Sequence, residues 1–534
     1  MSAPDDALQT ELSTYLHTQE RRLHQFPRAV LVGLLAGVVG VAFRVGLQLA
    51  ERGRHAALDL AHRHAGWGLP AWILVATAGI TAAVLLVRRI APEAAGSGVP
   101  HIKAVLYQLQ SMRWLRVLTV KFFGGILGIG SGLALGREGP TIQMGGALGQ
   151  MVARFLRCNA TERQTLIAAG AGAGLAAAFN APLAGMVFVL EEVQRDFTPT
   201  VFVASLIASV TADIVTRFLT SQQPIFHVAS FGAPPLASIP WFAALGCLLG
   251  ALGVIFNRGL LASMSLFERI RIAPLGAAMV GVVIAIVAWF VPAAIGGGYP
   301  LIDQVFHGAL APGAAALLFA LCLGLTLISY GCGAPGGIFA PLLILGALAG
   351  SLVGQGARHL APGLSLGPEV FAVVGMGAYF SAIVRAPLTG IVLLVEMTES
   401  YNLMLPLLVA CMCAYGVAEA LKDRPIYEAI LERDLLRTQG SADLTGTFVL
   451  ELTIQPGARF AGKHVRALDL PDGCLVISVR RGLRERVPTK ETILLPRDHL
   501  TMVIGEEART AVAALRQGAE SPRDAHPAPR PGGS

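Results

Sequence analysis

Charge is scarce in this chain. Only 14% of its 534 residues are Asp, Glu, Lys or Arg, against 54% apolar, and the mean hydropathy is +0.62. A soluble domain carries about a quarter charged residues, so the composition excludes an ordinary globular enzyme and indicates a polytopic protein of the lipid bilayer. Cysteine is sparse as well. The seven (158, 247, 322, 332, 411, 413 and 474) stand singly, none in a CxxC, which leaves neither a disulfide framework nor a zinc site, and no metal or other cofactor is expected. HExxH, GxSxG and paired-aspartate motifs are missing too, so an intramembrane enzyme using a lone carboxylate as acid or base has no second catalytic group. The net charge of +7 comes without a basic–aromatic run and speaks against nucleic-acid binding. It reads instead as positive-inside bias: Arg21, Arg22 and Arg28 precede the first apolar stretch and Arg88-Arg89 close the second, which predicts cytoplasmic termini. The polar first 28 residues also lead us to expect no cleavable signal peptide, but a cytosolic N-terminal helix.

What the chain has in plenty is apolar runs and glycine. A bilayer crossing needs about 20 mostly apolar residues. Runs of that kind cover 29–50, 71–88, 117–135, 199–217, 236–256, 275–298, 312–331, 337–356 and 401–421. Four shorter runs (141–153, 166–179, 181–190 and 369–384) end at Gly or Pro and predict tilted, discontinuous or re-entrant helices. The 61 glycines favour close helix packing, as in the run 170–174.

One charged pentapeptide, Gly136-Arg137-Glu138-Gly139-Pro140, interrupts the apolar sequence. Ionisable groups at membrane depth cost several kcal/mol and are rarely kept without a role. Its glycines and proline break the helix where lipid would forbid free backbone, which suggests a protein-lined ion site. A structural ion pair between Arg137 and Glu138 is the plainer alternative, but adjacent residues on a helix point apart.

Residues 170–191 overlay 375–396 at an offset of 205, with ten identities in twenty-two, among them Ala181-Pro182-Leu183 on Ala386-Pro387-Leu388 and Glu191 on Glu396. Upstream the offset is 201, and Gly136, Pro140, Gly145 and Gly149 meet Gly337, Pro341, Gly346 and Gly350. Paired, Gly/Pro-broken segments in two halves of a membrane protein point to a transporter's binding site. If the halves are inverted, two helix N-termini converge and make an anion site from N–H groups and dipoles. The fold class expected is therefore mainly α: a polytopic membrane protein of two inverted repeats, with a small α+β domain after them.

Gly96-Ser-Gly-Val-Pro100, Gly136-Arg-Glu-Gly-Pro140 and Gly337-Ile-Phe-Ala-Pro341, with Tyr427 after the last span, resemble the CLC family of chloride channels and chloride/proton exchangers over about residues 29–430. The resemblance implies an inner-membrane homodimer with one pathway per subunit. It also implies that the Ser97 and Tyr427 hydroxyls and the Ile338 and Phe339 N–H groups hold a partly dehydrated chloride. Neutral donors bind an anion weakly enough to release it. Arg137 would look toward the outer mouth, and the N–H groups after it, from Gly139 on, would frame an outer anion position. Glu138 becomes the gate: ionised, it takes an anion position; protonated, it swings away. Glu192 matches the family's internal proton-transfer glutamate, with a solvated helix end beside Arg195 and Asp196 as the alternative. These acids favour chloride/proton antiport over a passive channel on the same fold, which is the alternative reading. Ser97 points to chloride, with bromide and nitrate tolerated. After Pro100 the family usually has an acid, whereas this chain has His101 and Lys103, a departure that speaks against an acidic side-route for protons at those positions. Glu191, repeated as Glu396, reads as structural.

Charge density rises after Tyr427. Residues 431–446 read as a linker, and period-two runs at 448–454, 475–479, 492–495 and 500–504 predict strands, followed by a helix over 506–517 and a Pro-rich tail from Gly518. Over 447–506 this part resembles the TrkA-C subdomain of potassium-conductance regulators, with Arg497-Asp498 in place of the usual Gly-Asp. That likeness implies dimerisation and leaves open either a small effector or a passive appendage.

Overall fold

The computed structural model describes residues 3–64, 66–195, 197–220, 226, 232–270, 273–308, 310–361, 366–439, 448–468, 470–481, 484–504, 515, 518 and 519. It divides into two compact units, Met1–Arg433 and Asp434–Ser534.

The first unit is helical and is built twice. Its first half contains α1 (Ala3–His62), α2 (Gly68–Ile90), α3 (Val99–Leu106), α4 (Trp114–Gly130), α5 (Glu138–Phe155), α6 (Ala160–Phe179), α7 (Pro182–Phe188) and α8 (Pro199–Leu219). The second half repeats the series as α9 (Ile239–Arg269), α10 (Ala273–Phe290), α11 (Tyr299–Phe306), α12 (Pro312–Gly331), α13 (Phe339–Leu360), α14 (Pro368–Val384), α15 (Pro387–Thr398) and α16 (Met404–Ala420). A last helix, α17 (Ile426–Gln439), brings in Tyr427. Seven helices among the described residues are long and apolar enough to cross a bilayer.

The predicted spans need two corrections. The run 117–135 is helical only to Gly130, because Gly132 takes a left-handed φ of 111° and the chain turns into an extended segment leading to Glu138. The run 275–298 is helical only to Phe290, because Pro292 removes the next donor. All four shorter runs lie on helices, α5, α6, α7 and α14. On α6 every residue from Thr165 to Phe179 is buried, so this helix meets protein on all sides.

Glycine explains how the two halves pack. A Cβ on Gly145 of α5 would lie 2.1 Å from Gly170 O of α6, and one on Gly346 of α13 would lie 2.5 Å from Gly375 O of α14. These are the residues that matched at offsets of 201 and 205. The identities of the repeat are thus the places where two helix backbones touch with no room for a side chain. Glu191 and Glu396 complete the symmetry. Glu191 accepts from the Leu388 and Thr389 N–H groups (2.9 and 2.7 Å) at the start of α15, and Glu396 accepts from Leu183 and Ala184 (3.0 and 2.8 Å) at the start of α7. Each carboxylate caps the other half's short helix and satisfies orphan donors there, the structural task expected of that position.

In the second unit β1 (Phe448–Thr453), β2 (Cys474–Arg481), β3 (Arg484–Arg486) and β4 (His499–Ile504) form an antiparallel sheet in the order β1-β4-β2-β3. Leu450, Leu452, Val476, Val479, Leu500, Met502 and Ile504 supply its apolar core. The predicted strand at 492–495 is not one. Ile493 makes a single bridge to His464, and the Leu495 N–H turns onto the Asp498 carboxylate (2.8 Å). Arg497 holds a left-handed φ of 71°, so it adopts the turn that glycine usually serves. The helix expected over 506–517 and the tail beyond it lie almost wholly outside the described residues.

Candidate functional site

The three motifs meet through their backbones. Gly136 N–H donates to Gly337 O (2.7 Å) and Gly337 N–H returns a bond to Gly136 O (2.8 Å). Gly96 N–H donates to Ala334 O and Gly336 N–H donates to Gly96 O, both at 3.1 Å. A Cβ on Gly139 would stand 2.8 Å from Ser97 O and 2.9 Å from Gly337 Cα. The segments before α3, α5 and α13 are therefore pressed into one junction. At that junction α5 starts with Glu138 and α13 with Phe339. Their first N–H groups have no acceptor inside their own helices, and both positive dipole ends point to the same region.

Around α13's start lie the expected halide ligands. Ile338, Phe339, Ser97 and Tyr427 are all fully buried. Ser97 Oγ accepts from Val99 N–H (3.3 Å), which leaves the hydroxyl proton for another acceptor. The Tyr427 hydroxyl is buried beside the Ser97 hydroxyl, with no well-formed hydrogen bond of its own, and Tyr330, Glu138 and Glu192 act on it electrostatically. Two neighbouring buried hydroxyls beside free N–H groups are a donor set suited to an anion of modest affinity.

Glu138 is fully buried. Its Oε1 accepts a short hydrogen bond from the Tyr299 hydroxyl and lies 4.0 Å from Arg137 Nε, while Oε2 is unpartnered. Arg137 departs from expectation. It precedes α5 as the N-cap residue, so the rule that neighbours on a helix point apart does not apply to it. Its Nη2 donates to Ala178 O (3.2 Å), and its guanidinium sits 5.0 Å over the Tyr299 ring.

Glu192 is not a solvated helix end. It lies in a π-helical turn, Val189–Val193, with no solvent exposure. Lys103 Nζ is 2.7 Å from Oε1 and Arg195 Nη2 is 3.5 Å from Oε2. His101, on the same helix as Lys103, is buried with Nδ1 3.1 Å from Gln143 Nε2.

Two residues escaped the sequence reading. Tyr299 follows Gly296-Gly-Gly298, which stands 200 residues after Gly96-Ser-Gly98, and Gly98 and Gly298 both precede their helices with left-handed φ (83° and 69°). Carrying the repeat that far would have exposed it. Lys121 is a fully buried lysine whose Nζ donates to Ala94 O (3.0 Å) and Gly96 O (2.6 Å), tying down the Ser97 loop. A charge inside an apolar run was signal enough to find it.

Comparison with known proteins agrees in extent and kind. A profile of the voltage gated chloride channel family matches residues 78–419, and one of the TrkA-C domain matches 449–515. The H(+)/Cl(-) exchange transporter ClcA of Vibrio cholerae is 42% identical over 419 residues, 76% of this chain and 89% of that protein. The protein of the same name from Salmonella typhimurium is 39% identical over 455 residues, 80% and 96% of the two chains. Among solved structures, a slow cyanobacterial Cl-/H+ antiporter superposes with a TM-score of 0.75 at 37% identity, covering 78% of this chain and 99% of that one. A eukaryotic CLC transporter superposes with a TM-score of 0.66 at 25% identity, covering 77% and 74%. With a family profile spanning more than half its length and relatives of this identity nearly end to end, the chain belongs to the CLC family of voltage gated chloride channels, joined at its C-terminal end to a TrkA-C domain.

Proposed function

We propose that this protein is a secondary active transporter that exchanges chloride for protons across the membrane. The observation that carries the reading is the buried Glu138 carboxylate at the joined N-terminal ends of α5 and α13. A carboxylate carries chloride's charge and competes for the same dipoles and N–H groups. Protonation removes that charge, so H⁺ uptake and halide entry become linked at one position. Ser97, Tyr427 and the Ile338 and Phe339 N–H groups hold the halide beyond the gate, Arg137 and Gly139 shape its outer side, and Glu192 passes protons inward. The relatives bearing the exchange name support exchange over passive conduction. The region 29–430 carries transport, and 447–517 serves as a cytosolic regulatory-type domain joined by a linker. The protein works as a homodimer in the inner membrane with cytoplasmic termini, and the TrkA-C likeness supports a small effector as the ligand to try first.

Reconstitution in liposomes tests the reading. An imposed chloride gradient should drive protons uphill. Chloride flux that leaves protons at equilibrium would make the protein a channel.

A further inference from the structure

The charges around the gate do not balance. Arg44 lies on α1 one turn beyond Gly40, on the same face. Gly40 abuts the end of α6, where its Cβ would lie 2.9 Å from Ala177 Cβ. Arg137 donates to the carbonyl of the next residue, Ala178 (3.2 Å). Both guanidiniums therefore gather at the C-terminal end of α6, where the helix dipole favours cations. Arg44 lies within reach of the charge of Arg137. Arg44 Nη1 and Arg137 Nε are buried with no hydrogen-bond partner. Glu138 Oε1 lies 4.0 Å from Arg137 Nε. A third guanidinium at this helix end, Arg217, donates to Asn180 O (3.0 Å) but is matched by Asp213 at 2.8 Å, so that pair cancels. Glu51, further along α1, acts on Arg54 instead.

We propose that Arg44 and Arg137 form an anion-receiving site in front of Glu138, at which Arg44, outside every signature motif, recruits a monovalent anion. Two guanidiniums and one carboxylate leave one positive charge and two buried donors unanswered. Like charges with unused donors are unfavourable together unless an anion joins them. The imbalance grows when Glu138 takes up a proton or moves away, which is when a halide must be at hand. The site thus supplies the next ion as the gate leaves. This deepens the exchange reading and rests on it.

The test is a KM-against-kcat split in liposomes holding the whole protein. Arg44→Gln should raise the half-saturating chloride concentration roughly tenfold, the low end of the enrichment a charged cleft provides. It should leave the saturated rate and the proton coupling near wild type. Arg44→Lys, which keeps the charge, should recover most of the loss, and Arg44→Glu should deepen it. If Arg44→Glu fails to fold, the Gln and Lys variants decide. An unchanged half-saturation in Arg44→Gln overturns the inference, and so does a fall in the saturated rate or coupling alone, which marks a packing role. Calorimetric titration of chloride into purified wild type and Arg44→Gln separates the two readings. Weaker binding in the variant upholds the site even if wild type proves uncoupled, whereas equal binding removes the site and leaves exchange standing.

Discussion

Lys103 Nζ lies 2.7 Å from Glu192 Oε1, and both side chains are closed to solvent, at 1% and 0% exposure. The lysine stands where the family usually has an acid, so the inner glutamate is held between two cations, Lys103 and Arg195. Such a pair is mutually required. Removing one partner strands a buried charge and costs about 3–5 kcal/mol, whereas removing both together costs far less. Lys103→Met and Glu192→Gln should each lower thermal stability in detergent, and the double variant should regain most of it. A double variant whose loss equals the sum of the two single losses would show that the two side chains act independently.

Transport separates the two glutamates from their structural roles. Glu138→Gln mimics the protonated gate and should keep chloride flux while losing coupled proton movement. Glu192→Gln should also uncouple, by cutting the inner proton path. Uphill proton movement that survives in Glu192→Gln returns that residue to a purely structural part.

The Tyr299 hydroxyl donates to the Glu138 carboxylate. A hydrogen bond to a charged group contributes about 1.5–3 kcal/mol, equivalent to a roughly ten- to hundredfold bias toward the seated carboxylate. Tyr299→Phe keeps the ring under Arg137 and removes only the hydroxyl. Chloride turnover at neutral pH should rise. An unchanged rate would show that the tyrosine serves packing alone.

Gly139 tolerates no side chain. The added methyl of Gly139→Ala would press on Ser97 O at 2.8 Å and Gly337 Cα at 2.9 Å, both backbone atoms that cannot step aside. Chloride binding by calorimetry should fall below detection even where the variant still purifies as a folded protein. Near-normal binding would mean that the junction between the motifs is looser than these contacts.

The C-terminal domain should be acid-sensitive. Burial works to raise the Asp498 carboxyl, but Arg481, bonded to both oxygens at 2.7 Å, and the Leu495 N–H outweigh it and hold the group below the ordinary aspartate value. A carboxyl depressed on folding contributes stability that is complete above its unfolded pKa and is lost as pH falls through the folded one. Protection from hydrogen exchange over 448–504 in the full-length protein, corrected for the intrinsic exchange rate at each pH, should therefore fall between about pH 4 and more acid conditions, the region of aspartate titration. Asp498→Asn should be less protected at neutral pH, with a protection that changes less across the range.

Much of this is legible in the sequence. Gly145 with Gly346 and Gly170 with Gly375 announce a duplication because close helix contact permits no substitute at those points. Glu138 announces itself because an acid in an apolar run needs a reason. Tyr299 was missed because the offset drifts to 200 and its motif keeps only the glycines and proline. Lys103 stood in plain view, but its partner lies 89 residues away, on a turn whose burial no local pattern reveals. The strand expected at 492–495 failed because alternation of apolar residues cannot report that Asp498 captures the next free N–H.

By itself the sequence determined a bilayer-buried, twice-built helical unit, a charged helix break at its centre and a separate stranded domain, since hydropathy, helix-breaking and backbone contact are properties of residues in order. Only the tertiary structure decided which groups face one another: Tyr299 on Glu138, Lys103 on Glu192, Arg137 on the Ala178 carbonyl. Those pairings join segments tens to hundreds of residues apart, and their energies depend on distance and burial, which exist only once the chain has closed on itself.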